Sequence, residues 1–187
     1  MTAPGRLAAA LVVVAVSVAL PFARHQTGPD QPPTATTGFS ATGLSFRYPA
    51  TWHSLTDSGE VSSFSALIVY LSSAPLPDPC RGMSCAFPRA GLPPGGVLVR
   101  WDADGSPGFR APKPNITIGG VPANETRTSN DGWCQSLGGT QTITVMIPRP
   151  VPGNWYGMEA CLRPPGLLYQ EAQISAMLSS VSLVQGD

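Results

Sequence analysis

The chain has 187 residues, the length of one domain, and 11 basic side chains balance 11 acidic ones for a formal charge of zero. That balance excludes an electrostatic nucleic-acid binder, which needs a basic patch to meet phosphate charge. An apolar share of 42% suffices for a core and excludes an intrinsically disordered chain.

Residues 7–20 (LAAALVVVAVSVAL) follow Arg6 and carry no charge. With Pro21, Phe22 and Ala23 the uncharged run reaches the lower edge of a spanning length, and Arg24 closes it. Residues 1–23 are therefore expected to form an apolar helix that is either a retained single-pass membrane anchor, the favoured reading, or a cleaved signal peptide. Arg6 on the inside agrees with the positive-inside rule. Either way the rest of the chain lies outside the cytoplasm. The first cysteine after the run is Cys80, so a bacterial lipid anchor is not expected.

Residues 24–42, with three prolines and several threonines, read as a flexible Pro/Thr-rich linker that contains His25. Residues 44–48 (LSFRY) alternate, so a strand is expected with Leu44, Phe46 and Tyr48 on its buried face. Trp52 follows it as a capping aromatic. Residues 64–71 (FSALIVYL) predict a strand covered on both faces. Residues 72–96 hold six prolines and two cysteines and read as an irregular excursion. Residues 97–101 (VLVRW) predict a third strand, with residues 102–105 (DADG) as the turn that closes it.

A hairpin is expected over residues 115–128 around Gly119-Gly120. Asn130-Asp131-Gly132 predicts a turn, and residues 141–147 and 154–162 predict two more strands. In the second, Tyr156, Met158, Ala160 and Leu162 share a face. Pro164-Pro165-Gly166 then starts a helix whose core face is Leu167, Ile174, Met177, Leu178 and Val181. Residues 182–184 predict a short last strand. About seven strands and one helix make an α+β domain, an antiparallel sheet with a flanking helix, over residues 43–187.

Four cysteines in an exported chain imply disulfides. Cys80 and Cys85 share one excursion, and Cys134 and Cys161 can face each other across a sheet. The expected bridges are Cys80–Cys85 and Cys134–Cys161. Structural zinc prefers closer pairs and histidine, so no metal is expected, and no cofactor signature is present.

Catalytic patterns are thin. A nucleophile relay would have to use His53, with an acid such as Asp57, and no serine has the nucleophile-elbow context. Asp102 and Asp104 resemble the opening of a calcium loop, but the other ligands do not follow. Glu159 and Glu171 have no spacing that pairs them for glycoside hydrolysis, and Glu159 is expected to face solvent beside the bridge. Asn115 and Asn124 fit the glycosylation sequon, a pattern common by chance. Trp133, Trp155 and Tyr156 lie close to turns, as core cover or as the lining of a groove.

The run Gly43-Leu-Ser-Phe-Arg-Tyr-Pro-Ala-Thr-Trp52 resembles the entry motif of PsbP-like domains, which include mycobacterial lipoproteins of the LpqN type. The ending Gln173-Ile-Ser-Ala-Met-Leu-Ser-Ser-Val-Ser-Leu183 is similar to their last helix and strand. Asp78-Pro-Cys80, Pro94-Gly-Gly-Val-Leu-Val99, Asn154-Trp-Tyr156 and Ala160-Cys-Leu-Arg163 resemble segments of uncharacterised actinobacterial exported proteins. The resemblance covers about residues 44–183. It implies an α/β/α sandwich around an antiparallel sheet, and a binding or accessory role instead of catalysis. It carries no functional residue over, and this chain lacks the lipidation cysteine of the lipoprotein members.

The expectation is therefore a non-catalytic extracytoplasmic module of the bacterial cell envelope. It would contact the membrane through its N-terminal segment and bind an envelope protein or component, and no nucleic acid. The alternatives are a small envelope hydrolase using His53, or a small-molecule carrier with an aromatic groove near Trp155.

Overall fold

The computed structural model describes residues 35–56, 65–75, 91–106, 108, 110–129 and 131–184. The N-terminal apolar run, most of the linker, Asp57 and the Cys80–Cys85 pair lie outside the described residues. What is described is mostly antiparallel β-structure with two short helices, an α+β fold.

One sheet is small, with three strands. β1 (Thr36–Ala41) and β2 (Leu44–Pro49) make a hairpin through Thr42 and Gly43, both at positive φ. The right-handed twist of paired strands favours such a two-residue turn. β10 (Ser182–Leu183) pairs with the other side of β2. Residues 36–41 were expected in the linker and are instead a strand. Their own sequence holds one large apolar side chain, Phe39; pairing with β2 makes the strand, and Phe39 packs on Phe46 at 5.1 Å between ring centroids.

The large sheet has seven strands. They are β3 (His53–Leu55), β4 (Ser65–Ser72), β5 (Val97–Gly105), β6 (Ile116–Ile118), β7 (Val121–Thr128), β8 (Gln141–Pro148) and β9 (Asn154–Leu162), in the order β3-β4-β5-β9-β8-β7-β6. Every pairing among the described residues is antiparallel. β5 is longer than expected. The DADG run is not a turn, because Asp102 and Asp104 pair with Gly157 and Trp155 of β9 and continue the strand.

α1 (Gly132–Ser136) and α2 (Leu167–Ser179) complete the fold. α1 was not expected. Asp131 starts it by accepting a hydrogen bond from the Trp133 backbone N–H, so Asp131, expected in a turn, is a helix cap. Cys134 therefore lies in a helix, where a position beside a strand was expected.

Two cores follow from the strand alternation. On one face of the large sheet, Val99, Trp101, Ile143, Val145, Met158 and Leu162 pack under the small sheet and α2. The Phe46 and Trp101 rings stack 5.3 Å apart across the two sheets. Leu44, Phe46 and Tyr48 are all buried, as β2's alternation predicts, and so are Ile174, Met177 and Leu178 of α2. On the opposite face a smaller core gathers Tyr70, Leu98, Cys161, Leu92, Cys134 and Leu137. The Cys134–Cys161 disulfide ties α1 to β9 there, with Cα atoms 5.2 Å apart.

Candidate functional site

The turn between β8 and β9 builds one side of a cavity. Pro148, Pro150 and Pro152 fix the backbone of this turn, and Gly153 closes it at φ 82°. The Arg149 backbone N–H donates to the Asn154 carbonyl at 2.9 Å. The turn thereby presents the Arg149 guanidinium 4.9 Å above the Tyr156 ring. Such a cation–π contact is worth about 0.5–1 kcal/mol at a site open to water.

Tyr156 is held from the other side. Its hydroxyl donates to the Thr42 carbonyl at 2.5 Å, which fastens the β1–β2 turn to β9. The ring is buried, and it stands between the two sheets.

Around this pair lies a cavity of about 340 Å³, lined by Val121, Pro148, Arg149, Pro150, Tyr156, Leu183 and Val184. The start of β7, the β8–β9 turn and the last strand each supply one wall. The lining is apolar except for Arg149 and the Tyr156 hydroxyl. Val184 is 70% exposed at the rim. An apolar concavity with a few fixed polar groups is the usual form of a small-molecule site.

The aromatic groove expected near Trp155 is thus displaced by one residue. Tyr156 lines the cavity, whereas Trp155 points to the opposite face of β9, toward Gly157 and Asp104. Alternation along a strand makes that one-residue shift a change of face.

That opposite face carries a second polar group of residues. Arg100 pairs with Asp102 at 2.8 Å on β5. Glu159 is the register partner of Arg100 on β9. It was expected to face solvent and is half-buried instead. Burial pushes its carboxyl up to about 7, helped by a hydrogen bond to Asp131 and the charges of Asp131 and Asp102, and opposed by Arg100. Protonated Glu159 donates to Asp131, which also caps α1. Sequence reasoning missed this because Asp131 is 28 positions away and reaches Glu159 only through the disulfide-tied helix.

The remaining candidates are dispersed. His53 is exposed on the edge strand β3, paired in register with Ser72, and Asp57 is outside the described residues. Glu171 binds Arg127 and the Gln141 amide on the α2 side, so the large sheet separates it from Glu159. Asp102 is buried on β5 in its pair with Arg100 and does not form a calcium loop. Asn115 and Asn124 use their side-chain amides to bind the Glu125 and Lys113 carbonyls, bracing the segment before β6 against β7. No group of three metal-ligating side chains occurs among the described residues.

Family models, curated proteins and solved structures alike return no match to this chain.

Proposed function

We propose that the chain is a non-catalytic extracytoplasmic binding or accessory module of the bacterial cell envelope, with a PsbP-like fold. We further propose that it is tethered to the membrane by residues 1–23, and that its ligand enters the cavity beside Tyr156. The observation that carries the reading is the 340 Å³ apolar cavity with Arg149 fixed at its wall. The Cys134–Cys161 disulfide supports export, because such bridges persist in oxidising compartments. The PsbP-like likeness draws support from the helix after Pro164-Pro165-Gly166 and from the return of the last strand to β2.

The carrier reading and the accessory-module reading share this site. The hydrolase reading does not, because His53 lies on the strand at one edge of the large sheet and the cavity opens beside β7, β8 and β9.

Native mass spectrometry of the protein taken from its own membranes tests the proposal. The expected result is a non-covalent small-molecule adduct on the wild-type chain that is lost in Val184→Trp, where an indole occupies the rim. Identical adduct patterns in the two chains would remove the cavity from the reading. Turnover of a test ester that disappears in His53→Ala would replace the binding role with the hydrolase.

A further inference from the structure

We infer that the cavity takes a compact amphiphile with a single anionic head, its apolar body against Val121, Tyr156 and Leu183 and its acid on Arg149. The inference rests on the cavity being the binding site proposed above and adds the class of ligand.

Charge carries the argument. Among the described residues Arg149 is the one charged residue of the lining, and no described acid accompanies it. Two guanidinium groups on strands of the large sheet are neutralised, Arg100 by Asp102 at 2.8 Å, and Arg127 by Glu125 at 2.7 Å and by Glu171, and that of Arg163, just after β9, is held by the Leu92 carbonyl. Arg149 has no carboxylate partner among the described residues; its side chain rests on the Tyr156 ring. A guanidinium on an aromatic face keeps its N–H fork directed outward, and that fork matches a carboxylate or phosphate with two parallel hydrogen bonds.

Shape limits the remainder of the ligand. A volume of about 340 Å³ is at the lower end of the ~300–1,000 Å³ common for small-molecule pockets. The walls offer valine, leucine, proline and an aromatic ring, which reward an apolar body and give no partner to a sugar or peptide. A cationic head would meet Arg149 with no counter-charge. A neutral alcohol would leave half of the guanidinium fork unused.

The test uses the full chain in phosphatidylcholine nanodiscs, photolabelled with a diazirine-bearing decanoate and mapped to peptides covering residues 148–156. Decanoate, decyl phosphate, decylammonium and decanol are the competitors. At least one of the two anions should compete about tenfold or more better than the cation and the alcohol. The order of the two anions tells a carboxylate ligand from a phosphate one. Arg149→Gln should erase the head-group preference, and Arg149→Lys should restore part of it. If label on the segment yields to all four competitors alike, the anionic head is wrong and the cavity stands as a purely apolar site. If no saturable label reaches the segment, both the head group and the cavity reading fall. The competitor series on the unsubstituted chain decides the matter even where a variant does not fold.

Discussion

Single atoms decide several positions in this domain. A Cβ on Gly139 would fall on both sulfurs of the Cys134–Cys161 disulfide, closer than side-chain carbons approach anything. Gly139 has ordinary backbone angles, so the cost of Gly139→Ala is purely steric, about 2–3 kcal/mol from overpacking. A Cβ on Gly132 meets nothing within 4 Å. Gly132→Ala, at the first position of α1, should be neutral or stabilising by about half a kcal/mol. Urea unfolding of the two variants checks both signs, and equal losses would contradict the steric account. Glu159 sets a pH dependence. Its folded carboxyl titrates at about 7 against an ordinary 4.5. Between those values the native state holds a proton that the unfolded chain has released. The stability tied to this proton is fully present below the ordinary value and is lost as pH rises through 7. Partial solvent access discounts it to about 1–2 kcal/mol. Glu159→Gln keeps a donor for Asp131 and loses the charge, so its stability should stay flatter from pH 5 to pH 8. A wild-type profile equally flat over that interval would count against the buried-carboxyl account.

At the scale of elements, sequence periodicity was informative where a segment buries its own face and silent where tertiary partners impose the structure. β2 and β9 could be read residue by residue, because Leu44, Phe46 and Tyr48, and Met158, Ala160 and Leu162, alternate against one core. β1 could not, since Phe39 alone signals it and β2 supplies the ladder. α1 is too short for a helical period and depends on the Asp131 cap and the disulfide. The cavity is half legible in the sequence: Trp155 and Tyr156 mark the start of β9, but which of them faces the cavity depends on the large sheet's pleat. α2 offers a direct test of its face. Ile174 is 1% exposed and Leu168 is 83% exposed. Ile174→Ala should cost about 3 kcal/mol, and Leu168→Ala less than about 0.5. The disulfide closes a separation of 27 residues, so Cys134→Ala paired with Cys161→Ala should lose ~3.5 kcal/mol in the chain-entropy model. A double variant as stable as the parent would mean that Leu92, Leu137 and the Asp131 cap hold α1 without the bridge.

At the scale of the molecule, the small sheet joins distant ends of the described chain. β2 lies between β1, which opens it, and β10, which is 137 positions further on in the Ser45–Ser182 pairing. The described residues from Ala35 to Val184 fall in one compact unit, so these contacts should belong to the same cooperative transition as the large sheet. The C-terminal strand has two roles within that unit. Its backbone completes the β2 ladder, and Val184 donates to the Gly43 carbonyl at 2.8 Å, behind the turn that Tyr156 holds. Its side chains Leu183 and Val184 form a wall of the cavity. Leu183 also packs on Gly119, so the β6–β7 turn leans on the same strand. Ending the chain at Val181 removes two ladder pairs and one partly buried leucine. That should cost about 1–2 kcal/mol and lower the melting temperature by about 3–6 °C in a domain of this size. The loss should appear as one shifted calorimetric transition, because Phe46 of β2 remains stacked on Trp101 of the large sheet. The same truncation opens the cavity wall and should abolish labelling of residues 148–156 while most of the stability is retained. Two separate transitions would show that the small sheet unfolds on its own, and an unchanged label would show that the ligand does not touch the C-terminal strand.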